Sequence, residues 1–152
     1  MGDRLSNTRH ALVFLKTIGT ILKTSSIYET SPVAMAPDAG NFYNMVLCLD
    51  SNLSPHDLLK ATKRFEKKMG RDITDAAASH NKPRTMDIDI VLAEDRVIHS
   101  EDLTIPHKEM HKRKFVLIPL NEIAPSAIHP ILNREITDIL SHTNVLGQVN
   151  KI

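Results

Sequence analysis

Tryptophan is absent from this 152-residue chain, and aromatic residues make up only 4% of it. Nucleic-acid strands are held on stacking platforms along a basic groove. Here 19 Lys+Arg face 18 Asp+Glu, so neither platform nor charge excess is present and nucleic acid is not an expected partner. The five glycines, Gly2, Gly19, Gly40, Gly70 and Gly147, are too scattered for a phosphate-cradling P-loop or a dinucleotide fingerprint. One cysteine excludes a disulfide framework within the chain, which suits a reducing compartment. That residue, Cys48, stands in the apolar run Met45-Val46-Leu47-Cys48-Leu49 and is expected to be a buried, inert thiol. No apolar run is long enough for a signal peptide or a membrane span, so the expected place is the cytoplasm, with no membrane partner. Met1-Gly2 with Ser6 fits an acylation pattern and Asn52-Leu53-Ser54 a glycosylation sequon, but nothing else points to a membrane or to secretion.

With a formal charge of +1, any anion site must be a local cluster. The length fits one domain, residues 1–152, with no repeat, low-complexity tract or linker to divide it. Leu5, Leu12, Leu15, Ile18 and Leu22 fall on one helical stripe, which predicts a helix from Asp3 to about residue 22. Thr24–Thr30 and Phe42–Leu49 read as strands, separated by a loop over Ser31–Gly40. Ser54-Pro55-His56-Asp57 is a helix start: a capping hydroxyl, a proline whose missing donor costs little, and an acid at the positive end. Leu58, Ala61, Phe65 and Met69 make the inner face of that helix, and Gly70 should stop it. Residues 71–83 form a long polar loop, a feature more often functional than idle in a compact domain. Thr85–Ala93 is the clearest strand, Arg96–His99 a short hairpin arm, and Ile136–Leu140 a closing helix after apolar Phe115–Leu120. This order gives an α+β layer, helices on a mostly antiparallel sheet.

Asp87 and Asp89 carry the chemical argument. Alternation along a strand puts both carboxylates on one face while Met86, Ile88, Ile90 and Leu92 cover the other. Neighbouring carboxylates repel unless a cation lies between them, and hard oxygen ligands suit Mg²⁺. Asp-x-Asp alone equally describes a solubilising strand face. Its neighbours shift the balance: Lys82 and Arg84 precede it, and His107, Lys112, Arg113 and Lys114 follow. Acids for a metal flanked by bases for phosphate are what phosphoryl transfer needs, because its catalysis is mostly positioning and charge neutralisation. His107 and His111 have i, i+4 spacing, but without a glutamate between them at the metalloprotease position and with one cysteine they make a poor zinc site.

Taken together, GDRLSN, SSIYETSP, NFYNMV, LSPHDLL, FEKKMGR, PRTMDIDIVL and LTIPHKEMHKRKFVLIPLNEIAP, in that order, resemble the 6-hydroxymethyl-7,8-dihydropterin pyrophosphokinase family of folate biosynthesis. The resemblance covers almost the whole chain, and PRTMDID followed by PH and R-x-F-x-L-x-P-L is its most specific part. It implies a ferredoxin-like α+β sandwich and transfer of pyrophosphate from ATP to the pterin alcohol, with AMP as the other product. It also implies catalytic roles for Arg84, Asp87 and Asp89, the two aspartates holding two Mg²⁺ ions. Glu66, Arg84, Ile90, Thr104, His107 and Arg113 would lie on the ATP side. Thr30, Val33, Phe42, Asn44 and Phe115 would form the pterin pocket, where aromatic faces hold a flat ring and an amide reads its edge. The loop 71–83 would act as a lid. The other readings are a relative that binds nucleotide or pterin without turnover, and a nucleic-acid phosphotransferase.

Two departures stand out. Asn81-Lys82 replace the residues the family usually places before Pro-Arg, and the strand that in the family precedes GDRL is missing here. In the ferredoxin-like arrangement that strand is central and lies beside the acidic pair. Its absence predicts unpaired backbone edges. The expected causes are a start further upstream, which is favoured, a monomer closed with fewer strands, or a strand-swapped oligomer.

Overall fold

The computed structural model describes residues 4–31, 40–70, 86–144 and 148–152. Helix α1 (Arg4–Ile18) is shorter than its apolar stripe predicts, and strand β1 (Thr20–Thr24) takes over the residues where the helix was expected to continue. The cause is local. Gly19 lies so close to the chain end of β4 (Leu47–Asp50) that a Cβ there would stand 2.5 Å from the Asp50 carbonyl oxygen. The β-branched Thr20 and Ile21 then pair with Asp50 and Leu49.

The expected strand 24–30 is split, as is 42–49. Beyond β1 come β2 (Tyr28–Thr30) and β3 (Phe42–Asn44), which pair antiparallel with Tyr28 opposite Asn44 and Thr30 opposite Phe42. The β1–β4 and β2–β3 pairs are the two halves of one hairpin, bent where Ser25 meets Val46. There Ser25 N–H donates to the Val46 carbonyl at 2.8 Å, and Ser25 Oγ accepts from Val46 N–H at 2.9 Å. Cys48 is exposed, which corrects the expectation of a buried thiol. In β4 the faces alternate, so Leu47 and Leu49 turn inward while Cys48 and Asp50 turn out, whatever the overall apolarity of the run.

Helix α2 (Pro55–Gly70) starts as its sequence predicts: Ser54 Oγ accepts from Asp57 N–H at 3.2 Å. Leu58, Ala61, Phe65 and Met69 are half-buried, and Phe65 stacks on Phe14 of α1 with ring centroids 4.3 Å apart. The loop 71–83 lies outside the described residues.

The largest correction concerns the segment read as the clearest strand. Among the described residues, none of 86–93 joins a ladder. Its alternation survives: Met86, Ile88 and Ile90 are half-buried while Asp87 and Asp89 are exposed. A strand also needs a neighbour, and this segment is tied instead by single bonds. Ile88 N–H donates to Glu66 Oε1 at 2.6 Å, and the Val91 carbonyl accepts from His107 N–H at 2.9 Å.

Then β5 (Ile98–His99) and β6 (Thr104–Ile105) form the expected short hairpin, followed by a 3₁₀ turn at Met110–Lys112 and α3 (Lys114–Ile123). A hairpin of β7 (Ile128–His129) and β8 (Arg134–Glu135) leads into α4 (Ile136–Ser141). Finally β9 (Val149–Lys151) pairs with the outer edge of β2. Met110, Leu117, Leu120, Ile136 and Ile139 form the buried core, with Val46, Val91 and Leu92 packed against it. The architecture is α+β, helices with small antiparallel sheets. No helix among the described residues is long and apolar enough to cross a membrane.

Candidate functional site

The 86–93 segment presents its two carboxylates outward, as alternation predicts. Behind them stands Glu66, whose side chain is only 11% exposed. Its carboxylate accepts from Ile88 N–H and pairs with Lys63 Nζ at 2.9 Å, so α2 holds the backbone between the two aspartates. Two exposed carboxylates two residues apart offer hard oxygens, a donor set that fits Mg²⁺ shared with phosphate oxygens and water.

Asp89, Ile90, Thr104 and His107 meet in one cavity of about 270 Å³, together with Lys63, Lys108 and two further acids, Glu101 and Asp102. Four of the expected site residues thus converge from two separate stretches of chain, and α2 supplies a third wall. His107 lies below the ordinary histidine pKa of 6.5, chiefly because it is buried; Arg113 and Lys108 push the same way, while Asp89 and Glu109 oppose. Its Nδ1 accepts from Glu109 N–H at 3.2 Å, so the neutral ring carries its proton on Nε2 and can donate from there. Arg113 lies outside the cavity lining but within electrostatic reach of His107, and its guanidinium sits 5.6 Å from the centre of the Phe115 ring. Arg84 and Val33 lie outside the described residues. A larger cleft of about 470 Å³ between the ends of α1 and β4 contains none of the expected site residues.

The residues expected around the pterin gather on the outer half of the bent hairpin and on α3. Asn44 Nδ2 donates to Thr30 Oγ1 at 2.8 Å. Phe42, opposite Thr30, is 46% exposed, and Phe115 at the start of α3 is 37% exposed. α3 packs against β2 and β3.

Sequence reasoning passed over several residues. Lys63 lines the cavity, and its i, i+3 spacing to Glu66 was a usable signal. Glu122, on α3, had no signal at all. Its Oε2 accepts from Tyr28 O–H at 2.5 Å, and its Oε1 from Ser26 Oγ at 2.8 Å and Ser26 N–H at 3.0 Å. The hydrogen bond to Glu122 raises the Tyr28 pKa above 10.0, with burial adding to it; those from Tyr28 and Ser26 hold Glu122 below 4.5. Among the described residues, no group of three or more His, Cys, Asp or Glu side chains could hold a metal ion by itself.

A cavity that holds Asp89, His107, Lys63 and Lys108, with Asp87 and Arg113 outside its lining, on an α+β scaffold defines a domain suited to a metal-chelated polyphosphate. The chain belongs to the 7,8-dihydro-6-hydroxymethylpterin-pyrophosphokinase family, whose model matches residues 1–125. It is 41% identical over 133 residues to the folic acid synthesis protein FOL1 of Dictyostelium discoideum, an overlap of 88% of this chain and 20% of that protein. It is 37% identical to the 2-amino-4-hydroxy-6-hydroxymethyldihydropteridine pyrophosphokinase of Aquifex aeolicus, covering 91% of this chain and 83% of the relative. The enzyme of that name from Bacillus subtilis is 39% identical, over 81% of this chain and 72% of its own. The chain therefore spans about a fifth of the eukaryotic relative and most of the bacterial ones.

Proposed function

We propose that this chain, as a single domain over residues 1–152, catalyses Mg²⁺-dependent transfer of pyrophosphate from ATP to 6-hydroxymethyl-7,8-dihydropterin in folate biosynthesis. The observation that carries the reading is the convergence of Asp89, Ile90, Thr104 and His107 on one cavity in a chain of this family. ATP lies with its base against Ile90 and Thr104 and its phosphates toward His107, Arg113 and Arg84. The pterin ring lies between Phe42 and Phe115, its edge read by Asn44 and Thr30, and the family resemblance adds Val33 to the same set. The hydroxymethyl oxygen forms a bond to the β-phosphorus as the bond from that phosphorus to the α–β bridging oxygen breaks. AMP leaves with the bonding pair, and the hydroxyl proton passes to solvent. Two Mg²⁺ ions, held by Asp87 and Asp89, would offset the negative charge on the phosphate oxygens. Glu66 acts from behind, keeping the Ile88 amide and so the acid pair in place. Nε2–H of His107 and the guanidinium of Arg113 donate to phosphate oxygens.

The finer fold reading is a ferredoxin-like sandwich with an open central place beside residues 86–93. Two facts support it: that segment has no ladder, and β4 pairs on one edge only, both among the described residues. We place the protein in the cytoplasm, acting on small molecules and not on nucleic acid, as a monomer or a strand-swapped oligomer. The test is the nucleotide product. With ATP, Mg²⁺ and the reduced pterin alcohol, AMP should appear in step with pterin diphosphate. ADP as the product, or AMP without a pyrophosphorylated pterin, would sink the assignment.

A further inference from the structure

The carboxylate of Glu122 has three hydrogen bonds to one short stretch of chain, and all three fall just past the bend of the hairpin. Ser25 ties that bend to Val46, while Ser26 and Tyr28 bind Glu122. Beyond the bend lie β2 and β3, which carry Thr30, Asn44 and Phe42. Phe115 stands seven residues before Glu122, two turns along the same helix and therefore on a similar face. Tyr28 and Thr30 are two apart on β2, also on one face, and both are buried. The outer hairpin half is thus joined to the helix bearing Phe115 by one anchored carboxylate.

We propose that Glu122 is a positioning residue for the pterin pocket, setting through Tyr28 and Ser26 the distance and angle of β2–β3 relative to Phe115. A slot for a flat ring depends on the gap between its two walls, and the outer half of the hairpin belongs to a small sheet of three short strands, β3-β2-β9. β9 braces the far edge of β2, but β9 is three residues long and its Asn150 and Lys151 are exposed. The carboxylate adds a directional tie to the packing of α3 on β2 and β3: three donors converge on two oxygens, two of them from side chains whose rotamers are fixed by the contact. Glutamine cannot reproduce this, because its NH₂ cannot accept and one of the three donors loses its partner. The nucleotide cavity lies on other elements, α2, the 86–93 segment and β6, and does not depend on this tie.

The inference rests on the pterin reading above, so its test separates the two. Wild-type chain, Glu122→Gln, Tyr28→Phe and Ser26→Ala are titrated calorimetrically with Mg²⁺ and a non-hydrolysable ATP analogue, then with 6-hydroxymethyl-7,8-dihydropterin. Backbone amide shifts are recorded without ligand. Loss of a charge-assisted bond should weaken pterin binding about tenfold in Glu122→Gln. Tyr28→Phe should weaken it less, analogue affinity should stay within about twofold in both, and Glu122→Asp, one methylene short, should not rescue. Amides of Thr30, Asn44 and Phe115 should shift more than those of Asp89 and His107. Equal weakening of both ligands, or unchanged pterin affinity in Glu122→Gln, would overturn the proposal. A wild-type chain that binds no pterin but shows the shift pattern would overturn the pterin reading while leaving the mechanical tie intact.

Discussion

Two carboxylates with hard oxygens turned outward have one strong chemical use, and the first test is to remove each in turn. Asp87→Ala and Asp89→Ala should each abolish most turnover with the fold intact, because the charge neutralisation needed in the transition state goes with the ligand. Near-normal activity with Mg²⁺ in either variant would end the two-metal reading. A second comparison separates the pockets. His107→Ala and Arg113→Ala should weaken the ATP analogue by about 1.5–3 kcal/mol each, the worth of a charge-assisted hydrogen bond. Phe115→Ala and Asn44→Ala should weaken the pterin alcohol instead, and separate titrations of the two ligands would expose a reversed assignment. The aspartates were legible in sequence because strand alternation shows directly which residues share a face, and the structure keeps that alternation. Cys48 was misread because mean apolarity of a run says nothing about which of its residues face inward.

Elements were legible where a local device marks them. Ser54-Pro55 starts α2, and its hydroxyl accepts from Asp57 N–H, so Ser54→Ala should lower stability by about 1 kcal/mol in denaturant titration. No change in the midpoint would show that the cap contributes nothing. Gly19 is the opposite kind of mark: it ends α1 through a contact with Asp50, a residue 31 positions away. Apolar spacing continued to Leu22, so the pattern predicted a longer helix and tertiary pairing overrode it. The bend at Ser25 and Val46 likewise depends on a backbone pair that no periodicity foretells. Glu122 was invisible for the same reason: its partners are 94 and 96 positions away.

For the molecule as a whole, titration and strand pairing offer the two clearest measurements. His107 and His129 are both held below the ordinary value of 6.5, each mainly by burial. Unfolding frees both to take up protons, so their contribution to stability is complete above the unfolded value and is lost as pH falls below it. Glu122 and Asp138, held below 4.5 and 3.8 by their hydrogen bonds, lose their contribution at lower pH still. Tyr28 acts at the other end: raised above 10.0, it favours the fold below that value and the benefit disappears as pH rises through it. Melting temperature should therefore rise from acid to neutral pH and fall again above 10.0, and His129→Asn should flatten the step around 6.5. A step that persists unchanged would assign it elsewhere. If the place beside 86–93 accepts a strand, extending the chain upstream with an extended apolar segment should raise the melting temperature and slow hydrogen exchange at the amides of 87–92. An unextended chain that is already a stable monomer with those amides protected would contradict the open-slot reading.

What the amino-acid sequence determined by itself is the local and the chemical: the capped start of α2, the β5 arm, α4, the outward acid pair, and a likeness of motifs dense enough to indicate the family. These follow from spacing, capping and side-chain type, which neighbours in the chain settle between themselves. Tertiary structure alone decided where α1 stops, how the hairpin bends, which face of β4 hides its leucines, and that 86–93 joins no ladder among the described residues. It also decided that Glu66 holds the Ile88 amide between the two aspartates and that Glu122 binds Tyr28 and Ser26. Each of these depends on partners that chain periodicity does not name, because a ladder, a close approach or a long-range hydrogen bond is specified by both of its sides at once.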